Sequence, residues 1–465
     1  MHFTPFNSQD CSKNMARSPR RRRRSLPKEP VQVAVEDLAH DGRGVGRLAE
    51  GEHEGKTVFV HGALPDEVVS AKLIGRNRQF DEALGLEVLS ASPDRVEAPC
   101  PFFDHCGGCV LQHLSPDAQI QFKHKRLVDN FERLGEVSPE RWAPPLQGPF
   151  WGYRRRARLS VRDVPGKGRV LVGFREPQGR YVADIGFCDV LDPAFAHRLN
   201  ALSDLVGQLS VRHAVAQIEI AAGDDSQAMI VRHLEPLTSD DVMVLKRWSD
   251  ETDVAVYLQA KGPDTIQRLT PVEHVLQYTL KDHGLRLEFQ PEHFLQVNRE
   301  INEQLIQKAL DYLGLTADDR VLDLFCGLGN FTLPMAQRAG HVSGVEGAQA
   351  LVDQAQHNAR LNGIGNAQFH VADLAEPNQA DPWARERYSH VLIDPPRSGA
   401  QEILPLIAQT GAQKLVYVSC NPATLARDAG HLVHNHGFRL VEAGIADMFP
   451  HTAHVESIAF FERAQ

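Results

Sequence analysis

The sequence has no apolar run that approaches the roughly 20 residues needed to span a bilayer. It also has no signal-like start, because the arginine block at residues 20–24 leads into Ser-Leu-Pro-Lys-Glu-Pro instead of an apolar stretch. Seven cysteines in 465 residues are few and unevenly spaced, which argues against a disulfide framework. We therefore expect a cytoplasmic protein that does not bind membranes, whose cysteines have local chemical roles.

The chain also lacks an overall positive charge, since its formal net charge is −10. A long-range attraction for nucleic acid is therefore excluded, and any affinity for phosphate must come from local basic patches. Two such patches exist, at residues 1–30, with eight Lys or Arg against two acidic residues, and at residues 151–180, with nine against two. Hydrophobic residues make up 42% and charged residues 24%, which is ordinary for a chain of about three domains.

Composition and patterning divide the chain into four regions. Residues 1–30 form a basic tail that we expect to be disordered. Residues 31–92 contain short strands about ten residues apart and a glycine-rich turn, which predicts a small OB-like β-barrel. Residues 93–297 mix strands and helices in a central α+β domain. Residues 298–465 alternate strands with helices, which predicts an α/β domain with a doubly wound, Rossmann-like sheet.

Arginines are dense just after residue 150, where Trp151 and Tyr153 precede Arg154, Arg155, Arg156, Arg158 and Arg162. Two interpretations carry equal weight. Arginines beside aromatic rings can combine phosphate contacts with base stacking. The same pattern is also typical of a strand with a solvated face.

Two apolar runs near the C-terminus end at reactive side chains. Residues 416–418 lead to Cys420 and residues 391–393 lead to Asp394, so a thiol and a carboxylate are predicted at one edge of the sheet. In open α/β sheets this edge is where ligands bind. A single cysteine after a strand is nevertheless more often a small buried hydrophobe.

A nucleotide-like ligand is predicted at the same edge. The turn that contains Gly327 and Gly329 follows a strand and precedes a helix, and its missing third glycine disfavours a pyrophosphate. Three successive strand ends carry Asp323, Glu346 and Asp373. This arrangement resembles the S-adenosylmethionine site of Rossmann-like methyltransferases.

Four cysteines form a candidate metal site. Cys100, Cys106 and Cys109 follow a Cys-x5-Cys-x2-Cys spacing, and Cys188 supplies a fourth thiol. Four thiolates can bind a [4Fe-4S] cluster or a zinc ion, and spacing alone does not decide between them.

Taken together, the motifs resemble the RNA uracil-5-methyltransferase family over nearly the whole chain, and residues 31–92 resemble a TRAM domain. The motifs that carry this resemblance are Phe294 to Asn298, Asp323 to Thr332, Asp394 to Arg397, Ser419 to Pro422 and His454 to Glu456. The resemblance implies that Cys420 adds to C6 of a uracil and that Glu456 removes the proton from C5. It further implies that S-adenosylmethionine is bound by Gln296, Phe325, Asn330, Glu346, Asp373 and Asp394. We expect Cys326, on the glycine turn, to be structural.

The resemblance also bears on the metal and the substrate. It favours a [4Fe-4S] cluster on the four cysteines, with a structural or RNA-positioning role. A barrel combined with a cluster is typical of a ribosomal branch of the family, so a uridine of 23S ribosomal RNA is the expected target of a monomeric enzyme that does not act on DNA. Two alternatives remain open. The target could be another or an additional ribosomal uridine or a tRNA, or the chain could be a non-catalytic RNA-binding iron-sulfur protein.

Overall fold

The structure is a computed structural model that describes Leu26 and residues 29–48, 54–177, 179–270 and 275–464. The predicted basic tail therefore lies almost entirely outside the described residues. The described chain divides into two compact units. The first comprises residues up to 37 together with 44–91, and the second comprises residues 38–43 together with those from 92 onward. No helix within the described ranges is long and apolar enough to cross a membrane.

The first unit is built on a barrel that closes on itself. Its strands are β1 (Val31–Leu38), β2 (Gly44–Leu48), β3 (Thr57–His61), β4 (Val68–Arg76) and β5 (Phe80–Ser90). The neighbour order is β1-β2-β3-β5-β4, and β4 pairs with β1 antiparallel. Inward residues such as Val33 and Val58 are fully buried and alternate with exposed ones, as the period of a strand requires. The predicted barrel is confirmed.

The second unit begins with a helix and a mixed sheet. Its elements up to residue 288 are α1 (Pro116–Asn130), β6 (Arg141–Trp142), β7 (Arg156–Val164), β8 (Arg169–Gly173), α2 (Pro193–Ala196), α3 (Leu199–Gly207), β9 (Val215–Ala222), β10 (Gln227–His233), α4 (Ser239–Thr252), β11 (Val254–Gln259), β12 (Ile266–Arg268), β13 (Gln277–Leu280) and β14 (Leu285–Glu288). Six of these strands form one sheet in the order β12-β11-β10-β9-β7-β8, and β13 pairs with β14 as a hairpin.

The C-terminal part is a Rossmann-like layer of helices around a sheet. Its elements are α5 (Arg299–Leu313), β15 (Arg320–Leu324), α6 (Thr332–Ala336), β16 (His341–Glu346), α7 (Gln349–Leu361), β17 (Ala367–Val371), β18 (His390–Ile393), α8 (Leu404–Gln409), β19 (Lys414–Ser419), α9 (Pro422–His436), β20 (Phe438–Ala446) and β21 (Glu456–Arg463). The sheet order is β17-β16-β15-β18-β19-β21-β20-β6. Strands from β17 to β19 are parallel, whereas β21 runs antiparallel to both β19 and β20.

The doubly wound sheet is confirmed, and two features extend it. The antiparallel strand β21 lies between β19 and β20, so the C-terminal motif enters the sheet beside the strand that carries Cys420. Residues 141–142, which the sequence placed in the central domain, pair with β20 and widen the C-terminal sheet. The predicted boundary between residues 297 and 298 remains a prediction.

Strand β19 shows why the sequence folds this way. Its apolar residues are fully buried because helices cover both faces of the sheet. Val416 and Val418 pack in the core that includes α5, while Leu415 and Tyr417 pack in the core that includes α1 and α9. The strand ends where the Asn421 side chain accepts a hydrogen bond from the Ala423 amide and caps α9, with Pro422 as the first helical residue. Cys420 is therefore fixed between a buried strand and a helix start.

Candidate active site

The candidate nucleophile and base occupy one corner of the sheet. Ser419, the last residue of β19, lies opposite Ser457 of β21, and the Ser457 hydroxyl donates to the Ser419 carbonyl at 3.1 Å. Cys420 and Glu456 are the next residues beyond this pair. Glu456 is buried and Cys420 is half-buried. The antiparallel register thus brings together two residues that are 36 positions apart in the sequence.

The Cys420 thiol is in an environment that favours its protonated form. Burial raises its pKa, and the nearby carboxyl groups of Glu456 and Asp394 raise it further. Arg397 opposes these effects through its charge and a hydrogen bond to the thiol. Because the pKa lies above its usual value, the thiol needs a proton acceptor before it can attack a carbon centre.

The two carboxyl groups of this corner also hold protons more tightly than usual. Burial raises the pKa of Asp394 to about 7, and the Gln296 side chain, whose amide nitrogen lies 3.5 Å from Oδ2, opposes this shift. Burial raises the pKa of Glu456 well above its usual range, Asp394 adds to this, and Arg397 lowers it. A carboxyl group with a pKa near 7 is suited to accept and return a proton at neutral pH.

The glycine turn and its neighbouring carboxylate form the predicted nucleotide edge. Phe325 follows β15 with a φ of 63°, and its amide donates to the Val345 carbonyl of β16 at 2.9 Å. Glu346 ends β16 and accepts hydrogen bonds from the amides of Gly327 and Gly347 at 3.1 and 2.8 Å. The turn is therefore tied to the strand whose last residue is the predicted ribose ligand.

Two further predicted cofactor residues lie beside this turn or at a strand end. Asp373 follows β17, and its Oδ1 accepts from the Ala375 amide at 2.9 Å. Asn330 exchanges hydrogen bonds of 2.9 and 3.0 Å with Asn302 and accepts a third, of 2.9 Å, from the Tyr278 hydroxyl. Sequence reasoning missed Tyr278 and Asn302, because nothing in their local sequence indicates that they contact Asn330.

Asp323 corrects one expectation. We placed it with the strand-end acids, but it lies inside β15, is fully buried and accepts a 2.5 Å hydrogen bond from the Thr332 hydroxyl of α6. Burial raises its pKa to about 8. Asp323 therefore stabilises the glycine turn through its hydrogen bond to Thr332, the first residue of the helix that follows the turn. Cys326 is also buried, and its sulfur packs so closely against Gly344 that a Cβ there would lie only 3.0 Å away. Such tight packing is consistent with the predicted structural role.

A cavity of about 520 Å³ joins Cys420 to the four-cysteine segment. This volume is within the range of small-molecule sites, roughly 300–1,000 Å³. All four predicted metal-binding cysteines line it, and its basic side chains are Arg126, Arg154, Arg397, His40 and His454. Arg397 Nη2 lies 3.2 Å from His454 Nδ1. Sequence reasoning considered Arg154 as a phosphate contact, named Arg397 and His454 only as members of motifs, and gave Arg126 and His40 no role.

The four cysteines are free thiols that interact with one another. Burial raises the pKa of Cys109 to about 12, with smaller contributions from Cys188, Cys106 and Cys100. Gln112 accepts a hydrogen bond from the Cys100 amide at 3.1 Å and also hydrogen-bonds to the Cys109 thiol. In the part of the chain that the structure describes, no group of three or more His, Cys, Asp or Glu side chains is arranged to hold a metal ion as it stands.

The arginine segment is mostly structural. Arg155 is buried with its guanidinium 5.0 Å from the ring centre of Tyr278, and Arg156 pairs with Glu219. The Tyr153 ring is buried and its hydroxyl donates to the Pro450 carbonyl at 3.0 Å, so it is not available for base stacking. Of the two interpretations of this segment, the one as a strand accounts for Arg155 and Tyr153, because alternate residues of the segment point into the protein.

The fold and the site define the class first: a Rossmann-like methyltransferase domain, with a thiol and a carboxyl group at the corner of its sheet and a small β-barrel before it. A search against family models then matches residues 118–464 to tRNA (Uracil-5-)-methyltransferase and residues 25–83 to the TRAM domain. The chain belongs to the tRNA (uracil-5-)-methyltransferase family.

Relatives and a solved structure agree with this assignment. A protein of Alkalilimnicola ehrlichii named 23S rRNA (uracil(1939)-C(5))-methyltransferase RlmD is 50% identical, with 95% of this chain and 99% of the relative covered. A protein of the same name from Methylococcus capsulatus is 49% identical, with 96% and 99% covered. The fold is similar to that of the Pyrococcus abyssi tRNA (uracil-54, C5)-methyltransferase in complex with S-adenosyl-L-homocysteine, with a TM-score of 0.70, 23% identity and coverage of 93% and 99%.

Proposed function

We propose that this protein methylates C5 of uridine 1939 in 23S ribosomal RNA, with S-adenosylmethionine as the methyl donor. The observation that carries the proposal is the pairing of Cys420 and Glu456 across the ends of β19 and β21. Relatives named for this reaction are similar over almost the entire chain. A cytoplasmic, monomeric enzyme that acts on RNA and not on DNA or membranes suits this reaction.

The reaction begins at Cys420. C5 of uracil is too weak a nucleophile to take a methyl group unaided, and addition of a thiolate to C6 gives it enolate character. Asp394, with its pKa of about 7, accepts the thiol proton, and Arg397 stabilises the negative sulfur. S-adenosylmethionine supplies the methyl group as an electrophilic sulfonium. Glu456 then removes the C5 proton, the bond between C6 and sulfur breaks, and the thiolate is released.

The cofactor residues fit this donor by position and chemistry. Glu346 and Asp373 lie at the carboxyl ends of adjacent parallel strands, where carboxylates bind ribose hydroxyls and adenine amino groups. Phe325 and Asn330 lie on or beside the glycine turn, and the side chains of Gln296 and Asp394 are in contact with each other. We assign all six to S-adenosylmethionine.

Mass spectrometry of a 23S RNA fragment incubated with enzyme and S-adenosylmethionine tests the proposal. We expect one additional methyl group at uridine 1939, carried on C5, and none with the Cys420→Ala variant. Methylation of a different ribosomal uridine, or of a tRNA transcript in a parallel reaction, would overturn the assigned target. RNA binding without any methyl transfer would favour the non-catalytic alternative.

We also propose that Cys100, Cys106, Cys109 and Cys188 bind a [4Fe-4S] cluster. Four thiols on one cavity are the donor set of such a cluster, and the resemblance of the chain to ribosomal family members favours it over zinc. Methyl transfer from a sulfonium needs no redox step, so the role of the cluster is to hold the polypeptide around residues 100–111.

Iron analysis and a visible absorption spectrum of anaerobically purified protein test the cluster. We expect about four iron atoms per chain and broad visible absorption from the iron-thiolate bonds of a [4Fe-4S] centre. Cys109→Ser should lower the iron content, whereas Cys326→Ser, which changes a buried thiol outside the set, should not. Stoichiometric zinc without iron would contradict the proposal.

The barrel, residues 31–92, and the exposed arginines Arg158 and Arg162 are the proposed RNA contacts. Arg158 already pairs with Glu219 at 3.0 Å, so its contribution to phosphate binding is smaller than its exposure suggests. We propose residues 93–297 as the domain that carries the cysteine site and residues 298–465 as the methyltransferase domain.

A further inference from the structure

The segment that delivers Glu456 is a loop that distant residues hold at several points. It also has a turn of its own, in which the Thr452 amide and hydroxyl donate to the Phe449 carbonyl at 3.3 and 2.9 Å. Asp447 to Val455, which we name the base loop, joins β20 to β21, and Glu456 follows it directly. Glu456 pairs with Ala446 of β20, so the strand pair closes the loop at its two ends, and the conformation of the nine residues between them decides how the chain enters Glu456. A loop of this length with no regular structure of its own needs outside contacts to keep one conformation.

Lys123 of α1 makes two of these contacts. Its Nζ lies 2.5 Å from Asp447 Oδ1 and donates to the Phe449 carbonyl at 2.9 Å. Lys123 is 0% exposed and Asp447 is 2% exposed. The ammonium group thus connects the first and third residues of the base loop inside the protein.

Other residues hold the middle and the end of the loop, and each contacts a backbone group. The Tyr153 hydroxyl donates to the Pro450 carbonyl at 3.0 Å. At His451, Gln119 Oε1 accepts from the amide at 3.0 Å, and the amides of Val110 and Leu111 donate to the carbonyl at 2.9 and 3.0 Å. Arg126 Nη1 donates to the Ala453 carbonyl at 2.5 Å. His451 has a φ of 66°, which costs a non-glycine residue on the order of 1 kcal/mol and persists only when neighbours enforce it.

The buried ion pair between Lys123 and Asp447 contributes little to the free energy of unfolding. Removing two charges from water costs several kcal/mol, and replacing a buried pair by apolar residues is often neutral or stabilising. A role in fixing geometry accounts for such a pair better than a role in stability. The geometry in question is that of the base loop, because both atoms that Lys123 binds belong to it.

We propose that Lys123 is a positioning residue for the C5 proton abstraction: by holding Asp447 and the Phe449 carbonyl it sets the base loop, and with it Glu456. The inference rests on the proposed uridine methylation. Lys123 is not a catalytic residue, since it acts through the loop.

The proposal predicts which step fails when Lys123 is changed. In Lys123→Met, Cys420 still adds to C6 and C5 still gains the methyl group, but the C5 proton stays in place and the bond between sulfur and C6 does not break. A methylated protein–RNA adduct should therefore accumulate. A displaced general base costs roughly 100-fold in rate, so we expect adduct breakdown to slow by at least tenfold.

The test uses a 23S RNA fragment with tritium at uracil C5 and S-adenosylmethionine with a ¹⁴C-labelled methyl group. Adduct is measured on a denaturing gel, and tritium release is measured in the same samples. Lys125→Met is the matched control, because the Lys125 side chain lies on the exposed side of α1 and pairs with Asp129 of the same helix at 3.0 Å. The double variant Lys123→Met with Asp447→Leu removes both charges and serves if the single variant does not fold.

Accumulation of ¹⁴C-labelled adduct with slowed tritium release in Lys123→Met or the double variant, and not in Lys125→Met, supports the proposal. Adduct formation and tritium release that fall in parallel, with no accumulation, would overturn it, since a merely structural residue affects both. Affinity for S-adenosylhomocysteine should remain within about twofold of wild type. If the wild-type enzyme forms no adduct and releases no tritium, the proposed function itself fails.

Discussion

The two halves of the C-terminal sheet position their functional side chains in different ways. In the parallel half, Glu346 ends β16, Asp373 and Asp394 follow β17 and β18, and the strands themselves set their places. In the antiparallel half, Glu456 begins β21 opposite Ala446 of β20, and the base loop leads directly into it. That loop is held by Lys123, more than 300 residues earlier in the chain.

This difference separates two parts of the reaction. Damage to the parallel half should weaken cofactor binding and leave the resolution of any adduct intact. Damage to the antiparallel half should leave cofactor binding intact and stall the reaction after methyl transfer. The variants below either sharpen this separation or break it.

The largest effect is expected from Cys420, which lies between the two halves. Cys420→Ala should abolish tritium release from RNA labelled at uracil C5, because no group remains to add to C6. Cys326→Ala is the matched control, since both cysteines follow core strands but Cys326 is buried beside Gly344. Full tritium release by Cys420→Ala would disprove the nucleophile assignment.

Glu456→Gln should have the next largest effect. An amide does not accept the C5 proton, so we expect adduct breakdown to slow by about 100-fold or more and a gel-stable protein–RNA species to appear. Glu442→Gln is a suitable comparison, because Glu442 is a buried carboxylate of the same strand pair that binds Lys308 and Tyr312 instead of facing the site. Normal turnover by Glu456→Gln, without adduct, would mean that another group is the base.

Tyr278→Phe tests the cofactor edge with a smaller change. It removes the hydroxyl that fixes Asn330, and loss of one hydrogen bond of about 1 kcal/mol should weaken S-adenosylhomocysteine binding roughly fivefold. Tyr312→Phe also deletes a buried hydroxyl, one that contacts Glu442, and should leave this affinity unchanged. Calorimetric titration measures both. Equal affinities for the two variants would exclude a positioning role for Tyr278.

Asp323→Asn should have the smallest effect on catalysis. Its expected consequence is a change in how the free energy of unfolding depends on pH. Because burial raises the pKa of Asp323 to about 8, the native state binds a proton that the unfolded state has lost above about pH 4. This bound proton stabilises the native state fully below about pH 4, and the stabilisation is lost as the pH rises through 8. Between pH 4 and pH 8, the free energy of unfolding of Asp323→Asn should rise by a few kcal/mol relative to that of the wild type. Urea unfolding at both pH values checks this, and parallel wild-type and variant curves would contradict it.

The sequence predicted the parallel half well because its signals are local. Apolar runs that stop at a turn residue or a carboxylate marked the ends of β18 and β19, and the structure has them there. Asp323 was expected at the end of its strand, but β15 continues to Leu324. Asp323 is therefore the last but one residue of the strand and is fully buried.

The antiparallel half could be predicted only through family resemblance. Glu456 has no local signal that marks it as a base, and the base loop has no motif. Its partners Lys123, Gln119 and Arg126 lie on a helix that reads as an ordinary amphipathic one. Contacts between residues so far apart in sequence arise from the fold, and no periodicity or spacing encodes them.

The most direct test of the account is the intact mass of the wild-type enzyme after reaction with 23S RNA that carries 5-fluorouridine at the target. Fluorine replaces the hydrogen that Glu456 has to remove, so the reaction must stop after methyl transfer. We predict a covalent species with the mass of protein, RNA and one methyl group, with the RNA attached to Cys420 by peptide mapping. The absence of a covalent species, or attachment at any other cysteine, would contradict the account.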